Sequence, residues 1–267
     1  MIRMATVWER TVDVLRGRAA ILAGIAFATL FLPSVLSAAV AIFLGDVQAA
    51  RLLASLVSAM LMLFGMLAIT AVASDPRVDR GAAYRLAANR LPAAIGVTLV
   101  LVIALSFAFV PGALALVAAG ATVTAAGMVD MQRAAAGPLA LSGGLVLLAA
   151  ALLLWLSARL APLFAVVVNE RLGLGAIRRA FALTRGAAAR LIGVLILYAV
   201  VVMVLSVAVR SVVGVVLRLL LDSDGAVLLG TSAALAIVSA GATVVQNAFF
   251  AQYYAAARER DEAAPFA

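Results

Sequence analysis

Side chains able to do chemistry are scarce in this chain, and their inventory excludes most reactions. There is no cysteine and no histidine, which removes disulfides, thiolate nucleophiles, imidazole bases and most transition-metal sites. All 20 basic residues are arginine, so Schiff-base lysines and a lysine-bearing phosphate loop are absent. The 12 acidic residues remain. Asp46, Asp130, Asp222 and Asp224 fall in segments read as external, and only the last two are close in sequence. Asp222-Ser223-Asp224-Gly225 begins like a calcium loop, but apolar residues follow and no acidic twelfth position appears, so it reads as a turn opening a helix. Asp130 and Arg133 read as an exposed helical pair. The other acids lie among arginines, where ion pairing competes with acid–base work. Serine–histidine, aspartyl-pair and histidine–metal chemistries therefore all fail. No enzyme activity, cofactor or metal is expected.

The arginines carry the stronger pattern. Arg171, Arg178 and Arg185 recur every seven residues, so a helix over 169–190 would place them on one face, with Leu174, Ile177 and Phe181 on another. A basic amphipathic helix at a membrane surface suits anionic lipid headgroups. The same arginines also serve simply to hold the loop inside the cell. Arg85, in the arginine-bearing stretch 74–91, is a fourth candidate headgroup contact. Arg159 follows Trp155 by one turn, near the end of a long apolar run. An arginine at the bilayer centre costs about 2.5–3.5 kcal/mol, so snorkelling to the interface is the cheaper reading. A headgroup or substrate site is the other. Pro162 marks a hinge after it, and Glu170 is placed to pair with Arg159 or Arg171.

The run Arg159-Leu160-Ala161-Pro162, then Val166-Val167-Val168-Asn169-Glu170, then Ala176-Ile177-Arg178-Arg179-Ala180-Phe181-Ala182-Leu183-Thr184-Arg185-Gly186 resembles a family of polytopic bacterial membrane proteins. That family is the membrane domain fused to some glycerophosphodiester phosphodiesterases, related to the YciC-like proteins. Ala180 and Phe181 stand where the family usually has serine and tryptophan. The resemblance implies a six-span membrane domain, and marks Arg159, Pro162, Glu170 and Thr184 as motif positions. The catalytic domain of such phosphodiesterases is missing, so their hydrolysis is not carried over.

The elements that must position these residues are membrane spans. The chain is 67% hydrophobic and 12% charged, with mean hydropathy +1.21, where a soluble domain is nearer half apolar and a quarter charged. The run Ala19–Leu44 is too long for the apolar core of a signal peptide, despite the cleavage-like Ala39-Val40-Ala41. It reads as an uncleaved first span. Spans follow at 52–73, Pro92–Val117, Leu139–Val168, 191–209 and 226–250. The fourth would run about 45 Å, beyond a hydrocarbon core of about 30 Å, so a bend is expected at Arg159–Pro162. Met4, Trp8, Thr11 and Leu15 recur at helical spacing in a surface segment 1–18, and Arg210, Gly214, Arg218 and Asp222 do so in an interfacial stretch 210–224. Phe249, Phe250, Tyr253 and Tyr254 read as an aromatic belt before a cytoplasmic tail, 255–267. Ser232, Ser239, Thr243, Gln246 and Asn247 form a polar face on the sixth span, suited to gluing helices together or to lining a path.

Arginine counting sets the orientation. Fifteen lie in the N-terminal segment, the stretches 74–92 and 169–190, and the tail, against Arg51, Arg133, Arg210 and Arg218 on the other side. The positive-inside rule places the fifteen, and both termini, in the cytoplasm of a bacterial inner membrane. The excess of basic charge is a topology signal, not one of nucleic-acid binding. A weak internal repeat relates Gly81–Arg85 to Gly175–Arg179 and Ile95–Val97 to Ile192–Val194, a parallel repeat of the kind some transporters contain. The expected fold is all-α: a bundle of about six transmembrane helices over 19–254, with cytoplasmic amphipathic surface helices. The expected function is a lipid-interacting scaffold or accessory subunit in membrane lipid or envelope homeostasis. Its partners would be membrane lipids with anionic headgroups and a membrane protein. The alternative is a small transporter or lipid-translocating protein.

Overall fold

A computed structural model describes residues 3–45, 47–118, 120–123, 129–130 and 136–263. The chain is a helical bundle. Six of its helices are long and apolar enough to cross a membrane: Ala19–Phe43, Gln48–Ser74, Arg80–Ala118, Leu139–Asn169, Ala188–Leu220 and Asp224–Glu262. In order they are preceded by α1 (Met4–Gly17) and built as α2 (Ala19–Ala26), a π-helical turn (Phe27–Phe31), α3 (Leu32–Phe43), α4 (Gln48–Ser74), α5 (Arg80–Ala118), α6 (Ala136–Arg159), α7 (Leu163–Asn169), α8 (Gly175–Leu183), α9 (Ala188–Leu220) and α10 (Asp224–Ala263). Between α5 and α6 two short strands, Thr122–Val123 and Val129–Asp130, pair antiparallel. Asp130 is therefore in a strand rather than on the expected helix, and Arg133 and Asp46 lie outside the described residues.

The first span is interrupted for a local reason. Pro33 has no N–H to return to the preceding turn, and the backbone shifts to π register, with the Leu32 N–H reaching the Phe27 carbonyl. Thr29 Oγ1 turns onto the Ile25 carbonyl at 2.8 Å. Here α4 comes in closest, and a Cβ on Gly65 would stand 2.1 Å from Thr29 Oγ1. Only glycine fits at that crossing.

Helices α4, α5, α6, α9 and α10 close a ring, each packed on the next and α10 on α4, while α2 and α3 lie outside against α4 and α10. Helix α7 packs on α4, α5 and α10 as a plug at one end. The buried core gathers at this end: Leu22, Ile25, Leu67, Ile69, Val97, Val166, Val167, Leu183, Leu191 and Tyr253 are all sealed from solvent. At the other end the helices present apolar side chains outward, such as Phe107, Leu147, Met203 and Leu219, as lipid-facing surfaces do.

Several expected boundaries are overturned. Helix α5 runs through Pro92 without a break and begins at Arg80, because Asp79 opens it: Asp79 Oδ1 accepts the Ala82 N–H at 2.6 Å. The first copy of the internal repeat thus has no separate surface helix, while the second does. Helix α9 is continuous through Arg210, Gly214 and Arg218, so no interfacial helix starts at 210, and Asp222 lies beyond its end. Helix α10 continues past the expected span into the tail, to Ala263. Phe249, Tyr253 and Tyr254 are buried core residues, not a belt. In α1 the buried pair is Val7 and Thr11, while Trp8 is half exposed, one position off the docked face. That helix packs on the end of α10, where Arg10 Nη1 meets Glu259 Oε1 at 3.0 Å, so both chain ends lie at the same end of the bundle.

The carboxyl end of α4 is buried in this end, and its last carbonyls need donors. Arg18 supplies them: its Nη1 donates to the Val72 carbonyl at 2.7 Å and the Asp75 carbonyl at 2.8 Å, and its Nη2 to Val78 at 2.6 Å. Gln252 Nε2 donates to the Ala73 carbonyl at 2.6 Å. Removing either donor strands a buried carbonyl, which costs about 1–3 kcal/mol. Arg18→Met and Gln252→Leu should each lower stability by that amount in reversible unfolding in mixed micelles, whereas Arg51→Gln, exposed at the opposite end, should change nothing. An Arg18→Met protein as stable as the parent would refute the clamp.

Candidate functional site

The motif residues converge where the fourth span breaks. Pro162 cannot donate to the preceding turn, α6 ends at Arg159, and the chain restarts as α7 at Leu163. The expected bend is thus in place. Arg159 does not snorkel away from the protein. Its guanidinium lies over the Trp155 ring at 5.4 Å and the Phe181 ring at 5.7 Å, and the two rings meet edge to face at 5.8 Å. Its Nη1 donates to the Phe181 carbonyl at 3.4 Å, while its Nε is buried with no hydrogen-bond partner among the described residues. An arginine stacked between aromatic faces gains cation–π attraction of about 0.5–2 kcal/mol.

Thr184 completes the joint. Its side chain is fully buried, and Oγ1 lies 2.9 Å from the Ala180 carbonyl, 3.2 Å from that of Arg159 and 3.3 Å from that of Phe181. One hydroxyl hydrogen thus stands among three carbonyls at the meeting ends of α6 and α8. Tyr253 Oη donates to the Leu183 carbonyl beside it, at 3.4 Å.

Glu170 pairs with neither of its expected partners. Its carboxylate takes Arg179 Nε at 3.2 and 3.1 Å and the Tyr254 hydroxyl at 3.1 Å. Arg179 Nη1 in turn reaches Asp261 at 2.8 Å. The Arg179 pKa is raised above its ordinary value, first by the hydrogen bond to Asp261 and then by Glu170, against the opposing effect of burial. These pairs are part-exposed, so each contributes about 1 kcal/mol or less. Their effect is positional: α8 is tied at once to the α7 end and to the last turns of α10.

The three seven-spaced arginines do not share a helix. Arg171 lies before α8 with φ +58°, the left-handed position that commonly ends a helix, here α7. Arg178 is in α8, and Arg185 follows it in the turn that Gly186 closes at φ +78°. Ala176, Ala180 and Leu183 form the face of α8 that packs into the core. Arg171, Arg178, Arg185 and Arg85 are nonetheless all exposed, and none of their guanidiniums makes a hydrogen bond or ion pair with the described residues.

The polar face of α10 bonds mostly to its own helix. Thr243 Oγ1 donates to the Ser239 carbonyl and Asn247 Nδ2 to Thr243, both at 2.8 Å. Ser232 and Ser239 join no other helix. Hydrogen bonds from α10 to its neighbours include those of Gln252 and of Tyr198 of α9, whose hydroxyl donates to the Ala242 carbonyl. Gln246 and Asn247 instead line a cavity inside the ring. Arg18, Arg179, Gln252 and Asp261 were not singled out by sequence. Arg179 adjoins the seven-residue series without belonging to it, and its partner Asp261 is 82 residues away.

Thr184→Val keeps the shape and removes the side-chain hydroxyl that the Arg159, Ala180 and Phe181 carbonyls share. A loss of about 1–3 kcal/mol is expected from unfolding in micelles, together with easier proteolysis at the α8–α9 turn. Arg171→Gly, by contrast, should hold or raise stability, because glycine adopts the left-handed conformation without strain. Destabilisation by Arg171→Gly beyond that of Thr184→Val would contradict these assignments.

No family model matches this chain, and neither a curated protein nor a solved structure matches it.

Proposed function

We propose that this is a non-enzymatic integral protein of a bacterial cytoplasmic membrane. In this reading its arginine-rich end faces the cytoplasm with both termini, engages anionic lipid headgroups, and serves lipid or envelope homeostasis as a scaffold or accessory subunit. One observation carries it. Arg85, Arg171, Arg178 and Arg185 stand exposed at that end, their guanidiniums unpaired among the described residues, while Arg10, Arg179 and Arg258 are paired with carboxylates. Guanidiniums without internal partners at a membrane surface are available to phosphate, for which they are well matched. The arginine bias supports the orientation, and the motif resemblance supports a bacterial membrane-domain family.

The acids support a role without bond cleavage. Glu170, Glu259, Asp261 and Glu262 are each paired with arginine, and Asp75 and Asp79 accept backbone N–H groups. Among the described residues no three acids gather as metal ligands would. A lipid-translocating or small-transporter role is the second reading, favoured by the cavity within the ring of α4, α5, α6, α9 and α10.

Reporter fusions after Leu44, Gly120 and Ser223 should read outside, and those after Ala88, Ala187 and Ala257 inside. An outside signal at Ala187 would invert the proposal. In nanodiscs of mixed phosphatidylglycerol and phosphatidylcholine, the protein should enrich the anionic lipid around it. Changing Arg171, Arg178 and Arg185 together to Gln should weaken that enrichment by about 1 kcal/mol per charge. Equal enrichment in parent and variant would remove the headgroup role.

A further inference from the structure

The ring of transmembrane helices holds a cavity of about 330 Å³, floored by the α6–α7 break at Leu160, Ala161 and Leu163. Most of its wall is apolar, but four side chains on three helices bring polar atoms to it: Thr98 of α5, Ser157 of α6, and Gln246 and Asn247 of α10. Thr98, Ser157 and Gln246 make no hydrogen bond to any described residue. Asn247 is only 4% exposed; its amide nitrogen is held by the Thr243 carbonyl, and its carbonyl oxygen has no donor among the described residues. In a hydrocarbon setting, unpartnered polar groups are costly, and those that persist mark places where something polar binds.

Their order along the helices gives the cavity a direction. Helix α5 rises from the arginine end, so Thr98 comes before Leu101, Val102 and Leu105. Helix α6 descends to that end, so Ser157 comes after Leu153 and Leu156. On both helices the polar groups sit between an apolar wall that runs away from the arginine end and the apolar floor at Leu160, Ala161 and Leu163, and on α10 Gln246 and Asn247 come before Phe250. A glycerolipid has the same sequence of chemistry. Its headgroup is at the surface, its ester carbonyls lie just below, and its hydrocarbon chains run to the membrane centre.

We propose that this cavity binds one diacyl glycerophospholipid from the surrounding leaflet, its acyl chain along Leu101, Leu105, Leu153 and Leu156, and its ester carbonyls accepting from the Gln246 amide and the Ser157 and Thr98 hydroxyls. Val102, Leu153 and Ser157 are exposed as well as cavity-lining, so access is sideways, from lipid. The site does not depend on the surface arginines. It uses chain and ester chemistry common to neutral and charged lipids, and stands or falls separately from the headgroup reading.

The test uses the full chain in phosphatidylcholine nanodiscs carrying a phosphatidylcholine with a diazirine in one acyl chain. A zwitterionic probe keeps the surface charge out of the result. Photolabel should concentrate on peptides holding 98–105 and 153–160, above the lipid-facing residues of α9 such as Met203 and Leu219. Unlabelled diester phosphatidylcholine should displace it about fivefold better than the diether analogue, which has no carbonyls, the worth of about one net hydrogen bond. Gln246→Leu should reduce that preference and leave labelling in place. Leu156→Trp should suppress labelling by filling the space; Ser157→Leu, at an exposed position, gives the same readout if Leu156→Trp does not fold. Label spread evenly over α9 would overturn the proposal. So would equal displacement by diester and diether lipid, or displacement by free fatty acid as effective as by the diester.

Discussion

The carboxyl end of α4 sets the terms for the rest of the bundle. A helix that stops at a packed end leaves carbonyls without intrahelical partners, and the buried ones must find a donor. Two side chains do this from opposite ends of the chain: Arg18, just after α1, and Gln252, late in α10. For both to reach α4, the first span must cross it closely at Gly65, and the last must lie along its side. The docking of α1 on the end of α10 follows from the same convergence, as does the return of both chain ends to one side.

Arginine therefore does two distinct things in this protein. Arg10, Arg18, Arg159 and Arg179 are structural: they meet a carboxylate, a set of carbonyls or a pair of aromatic rings. Arg85, Arg171, Arg178 and Arg185 meet none of these. A count of positive charge by loop merges the two groups, because topology depends only on which side a charge lies. Which guanidiniums remain without partners among the described residues depends on which ones folding has used.

The bundle is unequal along its length. Its core is concentrated at the arginine end, where α7 plugs the ring and α8 is laced to both α7 and α10 through Glu170, Arg179 and Asp261. Toward the other end the helices turn apolar side chains outward. Lipid tails are as apolar as leucine, so burial alone does little to draw those helices together. Hydrogen bonds and aromatic contacts at one end set the positions, and the apolar ends follow from helix continuity. The cavity lies above the plug, where the ring is held apart by the elements below it.

The sequence by itself determined the properties that are local. Six apolar runs of spanning length, the break at Arg159–Pro162, the arginine bias and the lack of histidine and cysteine can all be read without knowing what touches what. Hydropathy and proline act within one segment. Helix continuity was less legible. Proline at 92 and arginine at 210 and 218 look like boundaries, yet α5 and α9 run through them, since a proline is tolerated inside an apolar helix and exposed arginines need no break. Only the tertiary structure decided the pairings: Arg179 rather than its neighbour Arg178 for Glu170 and Asp261, Gln252 for a carbonyl 179 residues away, and the tyrosines as core instead of belt. A side chain's partner is set by distance in space between remote segments, and no spacing along the chain encodes that distance.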